Sequence, residues 1–505
     1  MDDASPATYA DWKAPSEDGA VVIWPDGAQL LQQTRANHKH LASADHVLIQ
    51  NEPLPKLRTA QRAWLGHQND EAMLFATGHQ TELLHPGVWI KNALIDEAAK
   101  ATGGAAYHFA VDTDQPKHLG LRWPGTSVPL SDDPAMLSAD WSGLLVPPTP
   151  AHLTDIATRF NAAAKDWPFQ PLLNEFLHSM RRLTLEAETL DAALVNAIHE
   201  IDWKLGLRHH AMIVSPIFQS EPYLALVHHV LARSCQFAAD YNNALAEYRT
   251  ENKIANPGRP MPDLKQDPGG CEVPFWLDDL SSRTRQRAQV KRVAGGGMVL
   301  HHGEGDDFAL DPTKPAAEAT AELLKWLRRH NLRLAPRALM LTTFLRLFIA
   351  DNFIHGIGGG RYDQVTDKLI ASHFGLTPPK FAVTTATLFF PTAGEQERIC
   401  LPCLQQEGHR LKHAVLGEKK RELVAAIDAA PRRSLERSRA FAEMHHALTA
   451  ASQSQPLLAW QHRLQEAKQR DERQQQVFDR ELFYAIQPAD RLQMLIQLCR
   501  EALSS

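Results

Sequence analysis

The sequence predicts an α/β protein with parallel strands, and three features of residues 73–118 carry that expectation. Met73-Leu74-Phe75-Ala76-Thr77 is a short apolar run. A helical stretch follows from Val88, with apolar residues at Ile90, Ala93, Leu94 and Ala98 and an end at Thr102-Gly103-Gly104. His108-Phe109-Ala110-Val111 is a second apolar run. A strand–helix–strand unit of this length is a parallel crossover, because two strands separated by a helix rejoin the sheet in the same direction. Ligands of such sheets gather outside the carboxyl ends of the strands. Both ends are rich in polar groups here: Gly78, His79, Gln80 and His85 after the first run, and Asp112, Asp114 and His118 after the second. The active site is expected there.

The remaining elements follow in chain order. Residues 1–25 are polar and proline-rich and are expected to pack loosely, and a helix is expected near Leu30 to Leu41. Residues 124–152, rich in proline and glycine, form a long connection. Helical spacing of Leu172, Leu173, Phe176, Leu177, Met180 and Leu183 places helices over residues 154–207. His210 to Pro216 reads as another buried strand, with helices to about Arg249. Val273 to Leu277 and Met298 to Leu300 read as paired short strands. A helix from Leu339 to about Asn352 precedes a glycine run, and another runs from about Gln364 to His373.

After Pro391 the chain reads as helical. Leu457, Trp460, Leu464, Ala467, Asp471, Gln474 and Phe478 alternate at spacings of three and four, a coiled-coil seam with two polar occupants. It is expected either to form a homodimer or to pack as a hairpin on its own chain. The expected division is an N-terminal segment, residues 1–44; an α/β core with helical insertions, residues 45–395; and a helical coiled-coil domain, residues 396–505.

Composition bounds the function. The net charge of −6 gives no basic footprint for nucleic acid. No run approaches the ~18 apolar residues of a membrane span. Met1-Asp2-Asp3-Ala4 is acidic where a signal peptide would be positive. Five cysteines in 505 residues do not make a disulfide framework, and Cys235 and Cys499, in apolar contexts, are expected as buried, inert thiols. These features describe a soluble cytoplasmic protein acting on small molecules.

Each candidate group has a functional and a structural reading. His79 can transfer protons near neutral pH and Gln80 offers a donor and an acceptor; both could instead cap loop backbone. His85-Pro86-Gly87 opens a helix whose free N–H groups suit an anion, with Gly87 allowing close approach and Lys91 neutralising charge. The alternative is a helix-initiating turn with a solvated lysine. Asp112 and Asp114 can supply a general base, bind a hydroxyl or amine, hold a metal through oxygen ligands, or simply start a loop, and His118 can face the same cleft. Gly358-Gly359-Gly360-Arg361 can cradle an anion and clamp a carboxylate, or form a tight connection between helices. Cys400, Cys403, His409 and His413 have a C-x2-C-x5-H-x3-H spacing that can hold zinc. Its short gap and helical context favour a helix without metal.

In this order the motifs resemble the bacillithiol biosynthesis cysteine-adding enzyme family, the cysteine ligases. Thr77-Gly78-His79-Gln80 is similar to that family's Thr-Gly-Gln-Gln loop, with His79 replacing a glutamine. His85-Pro86-Gly87 through Lys91 is similar to its Gly-Pro helix start. Asp112-Thr113-Asp114 stands where the family has an acidic cluster that includes a histidine, and Gly358-Gly359-Gly360-Arg361 resembles its later glycine-rich segment. Phe483 to Pro488, followed by Leu492, looks like its tail. The resemblance implies a Rossmann-like nucleotidyltransferase core with helical insertions and a dimerising coiled-coil arm. It implies a ligase that joins the carboxyl of cysteine to the amine of an amino-sugar conjugate, with ATP or another nucleotide as co-substrate. The departures at His79 and in the acidic cluster leave open a non-catalytic nucleotide- or sugar-binding protein, or a ligase for another amino acid.

Overall fold

The computed structural model describes residues 12–69, 71–293, 295–303, 306–392 and 400–504. The protein is mixed α/β. Its described residues within Met1–Leu121, Val128–Leu388 and Arg480–Ser505 form one compact unit, and those within Arg122–Ser127 and Phe389–Asp479 form a second. No helix among the described residues is long and apolar enough to cross a membrane.

The first unit is built on two large sheets. Early in the chain come β1 (Val21–Trp24), β2 (Leu74–Gln80), β3 (Ala105–Val111) and β4 (His210–Ile213). A second sheet follows, from β5 (Gly270–Asp279), β6 (Thr284–Arg292), β7 (Met298–His301), β8 (Phe308–Leu310) and β9 (Leu332–Pro336). The chain then returns to the first sheet with β10 (Asn352–His355) and β11 (Ala382–Ala386). The first sheet has the order β1-β11-β10-β2-β3-β4. All its neighbours are parallel except β1, which runs antiparallel to β11. From β2 the chain builds outward through β3 to β4, then comes back to β10 on the opposite side of β2. The direction of winding therefore reverses between β2 and β10.

The helices of this unit are α1 (Gly27–Ala42), α2 (Leu54–Trp64), α3 (Pro86–Thr102), α4 (Pro150–Ala164), α5 (Leu173–Leu183), α6 (Leu190–Lys204), α7 (Glu221–Ala232), α8 (Ser234–Glu251), α9 (Ala316–Arg329), α10 (Ala338–Phe344) and α11 (Ile357–Phe374). The second unit is built on α12 (Leu401–Ala429), α13 (Leu435–Ala451) and α14 (Gln455–Val477), and α15 (Ala489–Ser504) belongs again to the first. Helix α3 is the expected crossover. Pro86 fits its first turn, where an N–H has no helical acceptor, and Gly103 ends it at φ +66°. It packs on β2, β3, β10 and β11, and against α15. Leu74, Phe75, Ala76 and Thr77 of β2 are all buried, as a parallel strand covered on both faces requires.

One buried carboxylate registers the two central strands. Asp351, just before β10, accepts from Arg58 Nη2 at 2.6 Å and pairs with Arg62 Nη2 at 2.8 Å, both on α2. It also meets His38 Nδ1 of α1 at 3.2 Å and accepts from the Leu74 N–H of β2 at 2.8 Å. Its own N–H returns to the Leu74 carbonyl at 2.7 Å. Burial alone would raise this carboxyl, but Arg58, His38 and Arg62 hold it well below the usual range.

Several expectations are corrected. Residues 1–25 do not all pack loosely: Val21–Trp24 is an edge strand, and Trp12 is buried against Phe381 and Val383. Strand β2 continues through Gly78, His79 and Gln80, which pair with Phe109, Ala110 and Val111 rather than forming a loop. Val273–Leu277 and Met298–Leu300 share a sheet but are separated by β6. The helix from Leu339 ends earlier, passes through a π-helical turn at Leu345–Ile349 and becomes β10 by Asn352. Gly358, Gly359, Gly360 and Arg361 lie inside α11, not in a loop before it. Residues 480–504 leave the expected 396–505 domain and join the core unit. Cys235 is disulfide-bonded to Cys271 rather than a free thiol, whereas Cys499 is free and buried.

In the second unit Leu457 and Trp460 of the seam are buried against Ala451, with Leu411, Leu416 and Leu464 packed around them. The side chains of Asp471 and Gln474 lie outside the described residues. Cys400 and Cys403 are bonded to each other, and the His413 side chain also lies outside the described residues. Among the described residues no three metal-ligating side chains come together.

Asp351→Ala is expected to cost about 3–5 kcal/mol, because it strands two buried guanidiniums. The depressed carboxyl contributes stability at pH values above its ordinary 3.8 and loses it as pH falls toward the folded-state value. Denaturant unfolding should therefore show a wild-type loss below about pH 4 that is reduced in Asp351→Asn. Equal acid sensitivity of the two proteins would contradict this role.

Candidate functional site

A cavity of about 530 Å³ opens at the carboxyl ends of β2 and β10. This is where the winding reverses and an open sheet leaves a crevice. The size is that of a small-molecule site, roughly 300–1,000 Å³. Its walls come from β2 (Gly78, His79, Gln80), the start of α3 (His85, Gly87, Val88, Lys91), β10 and the start of α11 (His355 to Gly359, Tyr362), Thr385 of β11, and Arg480 with Glu481.

On the first wall Lys91, buried on α3, donates to the Gly78 carbonyl at 2.8 Å. Burial lowers its amine to about 7, a shift that Glu82 opposes. Glu82 is buried behind His79, with Oε1 3.1 Å from His79 Nδ1. Burial raises its carboxyl to about 7 against the pull of Lys91 and Lys117. Burial, then the charge of Lys91, keeps the His79 ring neutral at pH 7. Gln80 donates its amide to Asp114 Oδ2 at 2.6 Å, which fixes the side chain at the rim.

His85 is the N-cap of α3. Its Nδ1 accepts from the Gly87 N–H at 3.1 Å, and its carbonyl accepts from Val88 and Trp89. The amides at this helix start are thus already engaged within the chain, which weakens the expected anion seat at Gly87. A Cβ on Gly87 would lie 2.5 Å from Arg480 Nη2 and 2.8 Å from the Ala386 carbonyl, so its glycine serves close packing.

The opposite wall holds a group that sequence reasoning missed. His355 ends β10, and its Nε2 lies 3.0 Å from Asp363 Oδ2 on α11. Asp363 also pairs with the buried Arg346. Burial would raise the Asp363 carboxyl, but Arg346 and His355 hold it well below the usual range. His355 Nδ1, the ring nitrogen not bonded to Asp363, lies beside Gly359 at the cavity wall. Gly356, Ile357, Gly358 and Gly359 open α11 without a side-chain cap. Arg480, the second missed group, donates to Thr385 Oγ1 at 3.1 Å and the Ala386 carbonyl at 3.0 Å, while its buried Nε has no hydrogen-bond partner among the described residues.

The structure thus brings Gly78, His79, Gln80, His85, Gly87, Lys91, Gly358 and Gly359 to one cavity. Asp112 does not reach it: its carboxylate is buried, accepts from the Ser215 N–H at 3.1 Å and is roofed by Gly143. Asp114 acts through Gln80 rather than bordering the cavity. His118 takes a left-handed conformation, φ +48°, on the connection after β3, outside the lining. Gly360 packs on Val383 and Trp12, and Arg361 donates to the Trp12 carbonyl at 2.5 Å. Arg361 therefore anchors residue 12 instead of lining the cavity as a carboxylate clamp. His355 ends a strand and Asp363 lies in the helix that follows, so no local spacing rule paired them. Arg480 had no local signal at all.

No family model matches this chain. No curated protein matches it either.

The glycines of α11 separate packing from binding. A Cβ at Gly360 would fall 2.5 Å from Val383 Cγ2, whereas one at Gly358 would meet nothing within 4 Å. Gly360→Ala should lose about 1–3 kcal/mol through overpacking. Gly358→Ala should hold its stability or gain up to about 1 kcal/mol. Thermal unfolding checks the order; a reversal would mean that α11 begins elsewhere.

Proposed function

We propose that this chain is a carbon–nitrogen ligase whose active site is the cavity between β2 and β10. It joins the carboxyl of cysteine to the amine of an amino-sugar conjugate, as in bacillithiol-type low-molecular-weight thiol synthesis in the cytoplasm. The observation that carries the reading is the convergence of His79, Lys91 and the His355–Asp363 pair on one cavity at the reversal of a parallel sheet. Reversed winding is also what a Rossmann-like core would present. The nucleotide implied by the resemblance fits the donor set: the uncapped glycine-rich start of α11 and the unpartnered Arg480 Nε suit phosphate oxygens. When bound, it would supply activation of the carboxyl. His355 Nδ1 takes the proton of the attacking amine, while Asp363 holds the ring and stabilises its charge. Gln80, fixed by Asp114, orients the acceptor.

A second reading, a non-catalytic binding protein, is favoured by one observation: Asp112 and Asp114 do not border the cavity. Under either reading the helical arm can serve a homodimer, because Leu435, Phe441 and Leu458 are exposed on α13 and α14. Light scattering tests that association.

Incubating the chain with ATP, cysteine and glucosaminyl malate should yield the amide by mass spectrometry. His355→Gln should cut turnover by about 10²–10⁴ with folding intact. Undiminished turnover in His355→Gln would remove it from the mechanism. Binding of the acceptor without any product would establish the second reading.

A further inference from the structure

The second unit carries a chemistry unrelated to the cavity. Cys400 and Cys403 flank Leu401-Pro402 at the start of α12, and their sulfurs are bonded. Both cysteines are exposed, in contrast to Cys271 of the other disulfide, which is buried. Cys400 is the helix N-cap, and its Sγ accepts from the Cys403 N–H at 3.2 Å. A sulfur in that position sits at the positive end of a helix, which is kinked further along at Gly417, and receives an amide hydrogen, so its thiolate is stabilised once the bond opens.

The bond contributes little as a staple. Loop-closure entropy grows with ring size, and this bridge spans a sequence separation of 3, against 36 for Cys235–Cys271. The helix start is held by other means. Trp460 Nε1 of α14 donates to the Leu404 carbonyl at 2.8 Å, Gly408 lies under the Trp460 ring, and Arg463 pairs with Glu407 at 2.5 Å. Opening the bond therefore leaves α12 and α14 docked. The Glu407–Arg463 pair, one turn along, neutralises itself.

We propose that Cys400 and Cys403 form a thiol–disulfide exchange site for low-molecular-weight disulfides. In the reduced protein the Cys400 thiolate attacks one sulfur of a small disulfide RSSR. The Cys400–SR bond forms, the RS–SR bond breaks, and RS⁻ leaves and takes a proton. Cys403, losing its proton, then attacks Cys400 Sγ. The protein disulfide closes and the second RS⁻ leaves and is protonated. In sum one dithiol is oxidised to a disulfide and one RSSR is reduced to two RSH. The reverse sequence recharges the site from two small thiols.

The test uses the full chain equilibrated in glutathione buffers of graded ratio, then alkylated and mapped by mass spectrometry. Cys400–Cys403 should open and close across the series while Cys235–Cys271 stays oxidised. Reduced Cys403→Ser with oxidised glutathione should trap a mixed disulfide on Cys400, and Cys400→Ser should trap at least tenfold less on Cys403. Thiolate absorbance should place Cys400 below the ~8.5 of a free cysteine. A pair that stays closed throughout, equal trapping at both cysteines, or a Cys400 midpoint at or above ~8.5 would each overturn the proposal.

Discussion

The Asp351 carboxylate is the interaction on which the rest of the first unit depends. It lies at the amino ends of β2 and β10 and receives two guanidiniums, an imidazole and a backbone amide. Parallel strands far apart in sequence have no turn to set their register, so something else must. Here the reciprocal bonds between Asp351 and Leu74 place Asn352 opposite Phe75, and Thr77 Oγ1 repeats the tie to the Ile354 carbonyl at 2.7 Å. Because a strand transmits register rigidly, that lock at one end sets where His79 and His355 emerge at the other. Burying an ion cluster costs desolvation, and for the Asp351 charge the pull of Arg58, His38 and Arg62 outweighs it. What the cluster supplies is a unique alignment.

The cavity has an uneven distribution of charge. Burial pushes Lys91 and Glu82 toward neutrality from opposite directions, and His79 between them stays uncharged. Across the cavity Asp363 stays ionised because Arg346 and His355 meet it. One wall therefore holds groups that can change protonation near neutral pH, while the other holds an ionised carboxylate against the His355 ring. Two titrating environments pushed apart in this way are a recurrent arrangement for acid–base work.

How much of this was legible in the sequence depended on distance along the chain and on polarity. The β2–α3–β3 crossover was legible because Leu74 to Thr77 and His108 to Val111 are apolar runs and Gly103-Gly104 is an unmistakable helix end. Strand β6 was hidden: Thr284-Arg285-Gln286-Arg287 gives no apolar run, and only Ala288 and Val290 are buried. Strand β11, Ala-Val-Thr-Thr-Ala, is small and half polar yet buried throughout. The helical state of Gly358 to Gly360 ran against glycine's propensity, and of the three only Gly360 packs closely on Trp12 and Val383. Asp112 and Asp114 were read as one cluster, but they take different partners, Ser215 for one and Gln80 for the other. A cavity does open at the strand ends the sequence pointed to, but neither Asp112 nor Asp114 lines it.

The return of residues 480–504 to the core has a consequence for how the molecule is made. Tyr484 stacks on Trp89 and its hydroxyl reaches Asp202 at 3.1 Å, while Arg500 pairs with Glu97 of α3. The segment that supplies Arg480 is thus clasped by α3, synthesised almost 400 residues earlier. During translation the sheet can assemble once β11 has emerged, but its cavity then lacks a wall. The whole helical arm must pass through the ribosome before that wall arrives. The half-built core would hold Trp89 and the α3 surface uncovered for that interval, which makes the nascent chain, rather than the finished protein, the form most in need of a chaperone.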